Sequence, residues 1–474
     1  MNKKVIKNYL YTVVYQLIQA LVPIITIPYK TRVFSPENIG IHSYLFTVSS
    51  YIIMLGSIGI SLYGQREIAY VKNDKKERSK KLYELILLKA IILGSLAIIF
   101  FITIGLRSIY RTYYAILLIQ IIISIIDVSW YMQGIEEFKK ISIVNIISKI
   151  LNTLFLFIII KNNNDLLKYI VLTTVFSVLP TIIIFILSTK YTEKVSIKKL
   201  KIFKHFKNCI ILFIPQIFIQ VYTVCDKIML GNLQHQISEV GYYEYADKII
   251  QIAISIIGTI TVVMIPTISY QFKNQNKEKL KESINSLTNI IIFLSVPITL
   301  GIIAVSKNVT IIFFPSTYSK INILIKILAL SIFPIAFTGI GEHYLIATKK
   351  EKTFTTIIGI GMIINLILNL LLIKKYASIG VAIATIITEI LIALIEIPII
   401  KKMINKKETL KNLIEYLLYS SIMFIIVYLI GKINSTIIVL ISQILTGTII
   451  YITILALRKD KILINIISKI KEWY

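Results

Sequence analysis

The sequence predicts an all-α integral membrane protein of about 14 transmembrane helices, arranged as two pseudo-symmetric six-helix lobes plus two extra C-terminal helices. Three observations predict it. The 474-residue chain is 56% hydrophobic with a mean hydropathy of +0.79, far above a soluble domain. The runs 8–29, 169–189, 249–272, 283–306 and 433–457 hold no charged residue, and crossing a hydrocarbon core takes about 20 helical residues. Finally, lysine and arginine gather in alternate loops between the apolar runs.

The spans fall near 9–29, 40–65, 82–105, 113–133, 143–160, 167–189, 209–230, 241–270, 284–306, 322–345, 354–373, 379–399, 413–431 and 436–457. The first is too long for a signal-peptide core and has no small-residue cleavage site after it, so it is expected to be retained. Arg66 and Glu67 close the second span. The basic stretch Lys190–Lys207 separates the sixth from the seventh and is the expected hinge between lobes. Segments on the side of the N-terminus carry 36 Lys and Arg, and segments on the other side carry 11. The positive-inside rule therefore predicts both termini in the cytoplasm. The same loops account for the net charge of +28, so nucleic-acid binding is not implied. Cys209 and Cys225 lie 16 residues apart in one apolar run, about 24 Å along a helix, and cannot pair with each other. The longest outer loop, around 309–321, leaves no room for a soluble catalytic domain. There is no P-loop, no metal-ligand spacing and no nucleophile–base arrangement, so neither an enzyme nor a resident cofactor or metal is expected. Any energy source would be an H+ or Na+ gradient, or the substrate's own gradient.

An internal repeat is visible. Gln16 and Gln19 in span one precede a short turn, then Glu37, Gly40 and Tyr44. Gln216 and Gln220 in span seven precede another turn, then Glu239, Gly241 and Tyr245. Six intervening spans preserve orientation, which makes the halves parallel. The lobes are placed at 1–207 and 208–400, with 401–474 forming spans thirteen and fourteen and a cytoplasmic tail.

Polar groups inside spans are costly and face the protein interior or a hydrated cavity. Thr12, Gln16, Gln19, Pro23, Thr26 and Lys30 recur every three or four residues, on one helical face. Gln216, Gln220, Thr223 and Lys227 do the same on span seven, and Glu244, Lys248, Gln251 and Ser255 on span eight, beside Asp247. Such stripes either join helices by hydrogen bonds or line a hydrated site. For the clustered charges Asp226, Lys227, Glu244, Asp247 and Lys248 the hydrated site is the better reading, although Asp226 could also neutralise Lys248 as a structural lock. Lys89 is a lone charge inside span three. Asp127 sits inside span four, with Lys149 as a candidate partner. Glu389 and Glu396, seven apart on span twelve, share a face, as do Asn365 and Asn369 on span eleven. For both pairs mutual structural satisfaction is favoured over a proton or cation path. His343, beside Glu342, reads as a packed polar residue.

The stretches PYKTRVFSPENIGIHSY (28–44), GSIGISLYGQREIAY (56–70), DVSWYMQGIEEFKKISIVNIISKI (127–150), DKIMLGNL (226–233) and VGYYEYADKI (240–249) resemble the polysaccharide transporter family. That family holds the Wzx-type repeat-unit flippases of the multidrug/oligosaccharidyl-lipid/polysaccharide (MOP) exporter superfamily. The resemblance covers most of the first 270 residues; Phe34–Ser35 stand where Leu–Gly is usual. It implies transfer of undecaprenyl-pyrophosphate-linked oligosaccharide across a bacterial plasma membrane, with membrane lipids and the polymerase and chain-length proteins of the pathway as partners. The positions matching the family's cavity residues are Lys30 and Arg32 in the first lobe and Asp226, Lys227, Glu244, Asp247 and Lys248 in the second. Alternatives are a lipid II flippase or a multidrug/cation antiporter of the same superfamily, and, in a different class, a membrane polymerase. An antiporter should have twelve spans and an acidic cavity, and a polymerase needs a large outer loop. The last two spans, poor in charge, are expected to pack loosely outside the core and to serve the lipid tail.

Overall fold

The computed structural model describes residues 3–196, 198, 200–234, 236–348 and 350–464, and among them there is helix and no strand. The helices in chain order are α1 (Lys3–Val33), α2 (Pro36–Ser57), α3 (Ile60–Tyr70), α4 (Lys75–Phe100), α5 (Arg111–Ile123), α6 (Ser129–Gly134), α7 (Phe138–Ile159), α8 (Leu166–Thr189), α9 (Phe206–Leu233), α10 (Ser238–Lys273), α11 (Lys277–Phe313), α12 (Ile321–Ala329), α13 (Ile332–Ala347), α14 (Glu351–Tyr376), α15 (Ser378–Ile400), α16 (Lys406–Ile430) and α17 (Ile437–Leu457). Among the described residues, twelve helical segments are apolar and long enough to cross a membrane. With α1 and α10, of 31 and 36 residues, they account for the expected set of about fourteen. Helix is forced where water is absent, because it satisfies each backbone group within the segment.

Local chemistry sets the boundaries. Ser35, Asp74, Asn276, Asn405 and Thr436 each accept the backbone N–H three residues on and cap α2, α4, α11, α16 and α17. Ser35, extended at ψ 159° and followed by Pro36, makes the first turn without the usual glycine. Two expected spans are interrupted. The second breaks at Ile58 (φ 36°) and Gly59 (φ 72°). A Cβ at Gly59 would lie 2.7 Å from the Cys209 carbonyl oxygen, so glycine admits both the left-handed turn and the close approach of α9. The fourth breaks at Asp127, whose carboxylate accepts from Ser129 N (3.0 Å) and Oγ (2.7 Å) to start α6.

The chain divides into two compact units, Met1–Ile228 and Met229–Tyr474, and α9 straddles the division. In the first, α2 packs on α4, α5 and α8, and α7 packs on α1 and α8. In the second, α10 packs on α11, the α12–α13 pair and α15, while α14 packs on α15. The internal neighbours of α2 and α10 thus correspond, which is the expected pseudo-symmetry. The starts of α2 and α10 are tied in corresponding places. In the first unit Asn163, just before α8, accepts from Ser35 N and Asn38 Nδ2, both at 2.8 Å. In the second, Glu239 at the start of α10 accepts from Ser378 N (3.1 Å) and Oγ (2.5 Å) at the start of α15, and from Lys320 Nζ at 2.6 and 2.7 Å.

The expectation of a loosely held final pair is corrected. Helix α16 lies along α11, and α17 packs on both. Gln443, 0% exposed, donates to the Val427 carbonyl (2.8 Å) and accepts from Asn308 Nδ2 (2.8 Å). Ser435 Oγ donates to Asn308 Oδ1 at 3.0 Å, and Tyr451 OH donates to the Phe293 carbonyl at 2.9 Å. Charge is scarce here, but neutral amides and hydroxyls supply the polar seam. The opposite faces expose Ile437, Ile441, Ile444 and Ile452. Replacing Gln443 by Leu leaves Asn308 Nδ2 with only the longer contact to the Gly431 carbonyl (3.4 Å) and should cost about 1–3 kcal/mol; the melting temperature of the detergent-solubilised protein should fall, while Ile444→Leu, on the exposed face, should leave it unchanged.

Candidate functional site

Two prolines, Pro23 and Pro28, sit inside α1, where each removes a backbone hydrogen bond. The end of the helix is instead pinned from outside. Tyr29 OH donates to the Ile160 carbonyl (2.5 Å), and its ring meets Phe157 edge-on at 4.6 Å. This fixes the turn that carries the two cations. Lys30 points inward, buried, with its ammonium 5.9 Å from the centre of the Tyr169 ring on α8. Arg32 points outward and donates to the Pro28 carbonyl at 3.0 Å. Adjacent cations of one motif therefore meet different surroundings. Lower on α1, Gln16 is exposed, and Gln19, half-buried, donates to Tyr15 OH at 2.6 Å.

Lys89 on α4 is 4% exposed. No hydrogen bond or ion pair reaches it among the described residues. The opposite charge acting on it is Asp127, held by Ser129 at the break between α5 and α6. An ammonium kept in apolar surroundings beside one carboxylate is the kind of intramembrane group that function retains.

The remaining predicted residues lie on α9 and α10. On α9, Asp226 is buried, Gln216 and Lys227 are half-buried, and Gln220 is exposed; the side chain of Thr223 lies outside the described residues. On α10, Glu244 is buried and pairs with Lys248 one turn on. Lys248 also lies 6.0 Å from the centre of the Tyr245 ring. Asp247 accepts from Gln251 Nε2 at 3.2 Å. Glu244 and Asp247 thus each meet a polar partner on their own helix.

A buried network escaped the sequence reading. His205, 1% exposed, shares hydrogen bonds with Tyr63 OH (2.9 Å, Nδ1) and with Glu84 (2.7 Å, Nε2). The other oxygen of Glu84, itself 3% exposed, accepts from Lys201 N at 2.7 Å. The network joins α3, α4 and the foot of α9, and closes the basic linker onto the first unit. Tyr63 and His205 are 142 residues apart, and a lone histidine in a lysine-rich loop carries no local signal.

Apolar helices of membrane-crossing length, with cations buried among them, define a class: a multi-pass α-helical membrane protein. The chain belongs to the polysaccharide biosynthesis protein family, whose model matches residues 5–272; a MatE model matches residues 212–371. It is 24% identical over 391 residues to a protein described as an O-antigen transporter of Shigella dysenteriae, covering 80% of this chain and 96% of that one. It is 25% identical over 392 residues to the capsular polysaccharide biosynthesis protein CapF of Staphylococcus aureus, covering 81% and 96%. Its fold is similar to that of the lipid II flippase MurJ in an inward closed conformation, with a TM-score of 0.74, 20% identity, and coverage of 94% of this chain and 97% of that one.

Removing Glu84 leaves His205 and the Lys201 amide without their buried acceptor. Glu84→Ala should destabilise the purified protein by about 1–3 kcal/mol, and Glu84→Gln, which keeps one acceptor, by less. Thermal unfolding of the two variants side by side checks the order.

Proposed function

We propose that this chain is a flippase that moves an undecaprenyl-pyrophosphate-linked oligosaccharide repeat unit from the inner to the outer leaflet of a bacterial plasma membrane, serving capsule, O-antigen or exopolysaccharide synthesis. The observation that carries this reading is the burial of Lys30 and Lys89 within apolar helices, in a chain whose relatives are described by O-antigen transport and capsule synthesis. A loop cation orients a membrane protein; a cation inside a span needs another use. The cargo's anionic pyrophosphate suits charge-assisted hydrogen bonds from ammonium and guanidinium groups. Its glycan suits the amides of Gln16, Gln19, Gln216 and Gln220, and its polyprenyl tail stays in lipid. Lys30, Arg32, Lys89, Lys227 and Lys248 receive the pyrophosphate, and Asp226, Glu244 and Asp247 hold those cations in place or meet sugar hydroxyls. The lobes 1–207 and 208–400 alternate access to this cavity. The likeness to MurJ in fold supports a second reading, lipid II transport, in which the same pyrophosphate chemistry serves another glycan.

Reconstitution tests the reading. Vesicles containing the protein should translocate a fluorescent polyprenyl-pyrophosphate oligosaccharide, read as loss of quenching by a membrane-impermeant reductant. Lys30→Ala, Arg32→Ala, Lys227→Ala and Lys248→Ala should each reduce the rate at least tenfold with normal insertion. Unchanged rates in all four would refute the cationic site. Transport of lipid II in preference to repeat-unit cargo would decide for the second reading.

Both termini are placed in the cytoplasm. With Cys225→Ser as background, a cysteine replacing Asn163 should react with a membrane-impermeant maleimide in intact cells, and one replacing Lys76 should react only after lysis. The reverse pattern overturns the orientation.

A further inference from the structure

Three carboxyl groups of the second unit take no part in the cation-lined site. Glu389 lies near the middle of α15, and Glu396 two turns further, about 10 Å along the same face. Glu342 lies in the penultimate turn of α13. Glu396 is 1% exposed, and both its carboxyl oxygens are sealed from solvent without a hydrogen-bond partner. Its carboxyl rests on α13 at Gly341, where an added Cβ would fall 2.1 Å from Oε2. Glu389 is likewise buried, and among the described residues no hydrogen bond or ion pair reaches any of the three. Thr388 Oγ1, beside Glu389, is also buried and unpartnered.

The charges acting on Glu389 and Glu396 come from this set: Glu342 acts on both, and Glu389 acts on Glu396. The other charged or imidazole side chains of the described residues on α13 and on the helices packed against α13 and α15 are His343 on α13, Lys326 on α12, Glu351, Lys352, Lys374 and Lys375 on α14, Lys277, Glu278, Lys279, Lys281, Glu282 and Lys307 on α11, and Glu239, Glu244, Asp247 and Lys248 on α10. Among the described residues none of them makes a hydrogen bond or ion pair with either glutamate. Among the described residues a carboxylate charge held there meets no hydrogen bond or cation, which makes the charged form costly. Close packing on the Gly341 backbone leaves no space on that side for a metal ion, which needs a shell of oxygens. A proton needs none.

We propose that Glu342, Glu389 and Glu396 form a proton-binding ladder, entered at half-buried Glu342 near the basic-loop end of α13 and reaching the middle of α15. Gly341 is its positioning residue, keeping the Glu396 carboxyl against α13. Use of the ladder to drive cargo rests on the transport reading above; proton binding itself does not.

The test uses the full-length protein in vesicles and dicyclohexylcarbodiimide, which modifies protonated carboxyls in apolar surroundings. Peptide mass mapping should find the adduct on Glu396 and Glu389. It should decline as pH is raised, at a higher pH than any adduct on exposed Glu278, and sodium chloride should not alter it. Glu396→Gln should lose its adduct, and Gly341→Ala should shift the pH dependence at Glu396. In the transport assay, Glu396→Gln should abolish the response to an imposed pH gradient while leaving transport without a gradient. No adduct at either residue, or protection by sodium, overturns the proposal. A pH-dependent adduct in a protein that moves no polyprenyl-linked cargo upholds the proton site and refutes the transport reading instead.

Discussion

Water is absent from the hydrocarbon layer, and every polar group carried into it has to be answered from within the protein. The helices meet this demand for the backbone, and the side chains meet it at a few tightly drawn points. Asn308 and Gln443 answer each other between α11 and α17, His205 is answered from both sides by Tyr63 and Glu84, and Glu239 gathers Lys320 and Ser378. Where, among the described residues, no hydrogen bond answers, as at Lys89 and Glu396, the group is a candidate for work rather than for architecture. That distinction separates the polar residues that hold this molecule together from those assigned to cargo and protons.

The two units solve the same packing problem with different chemistry. Each has a helix, α2 or α10, surrounded by corresponding neighbours. Yet the first unit buries Lys30 and Lys89, and the second buries Glu389 and Glu396. The helix neighbours correspond while these buried charges differ. In the proposed mechanism both halves contribute cations suited to a pyrophosphate, and the second adds carboxyls suited to protons.

The spans were legible because each is a long apolar run bounded by lysines, a signal that survives without any tertiary information. The repeat was legible through the shared spacing of Gly40 and Tyr44 with Gly241 and Tyr245. The breaks at Ile58–Gly59 and Asp127 were not, because apolar composition runs straight through them and the cause is an approaching helix or a local carboxylate cap. The candidate site was legible as residue types on helical faces, but not as surroundings. Sequence spacing placed Lys30 and Arg32 together, whereas one is buried beside Tyr169 and the other faces outward. The Tyr63–His205–Glu84 network and the Gln443 seam were invisible, since their members are distant in sequence and each is individually unremarkable. Charge counting judged the last two helices by the wrong quantity: neutral amides bind them to α11.

The ties at the start of α2 and α10 are built from unlike materials. Asn163 holds the first unit through neutral amide hydrogen bonds, while Glu239 holds the second partly through the ammonium of Lys320, which is itself partly exposed. Dissolved ions screen the second kind of tie and leave the first nearly untouched, over a Debye length of about 8 Å at physiological ionic strength. Ionic strength therefore acts on the two halves unequally, so the molecule has a built-in asymmetry toward its ionic surroundings that its matching helices conceal.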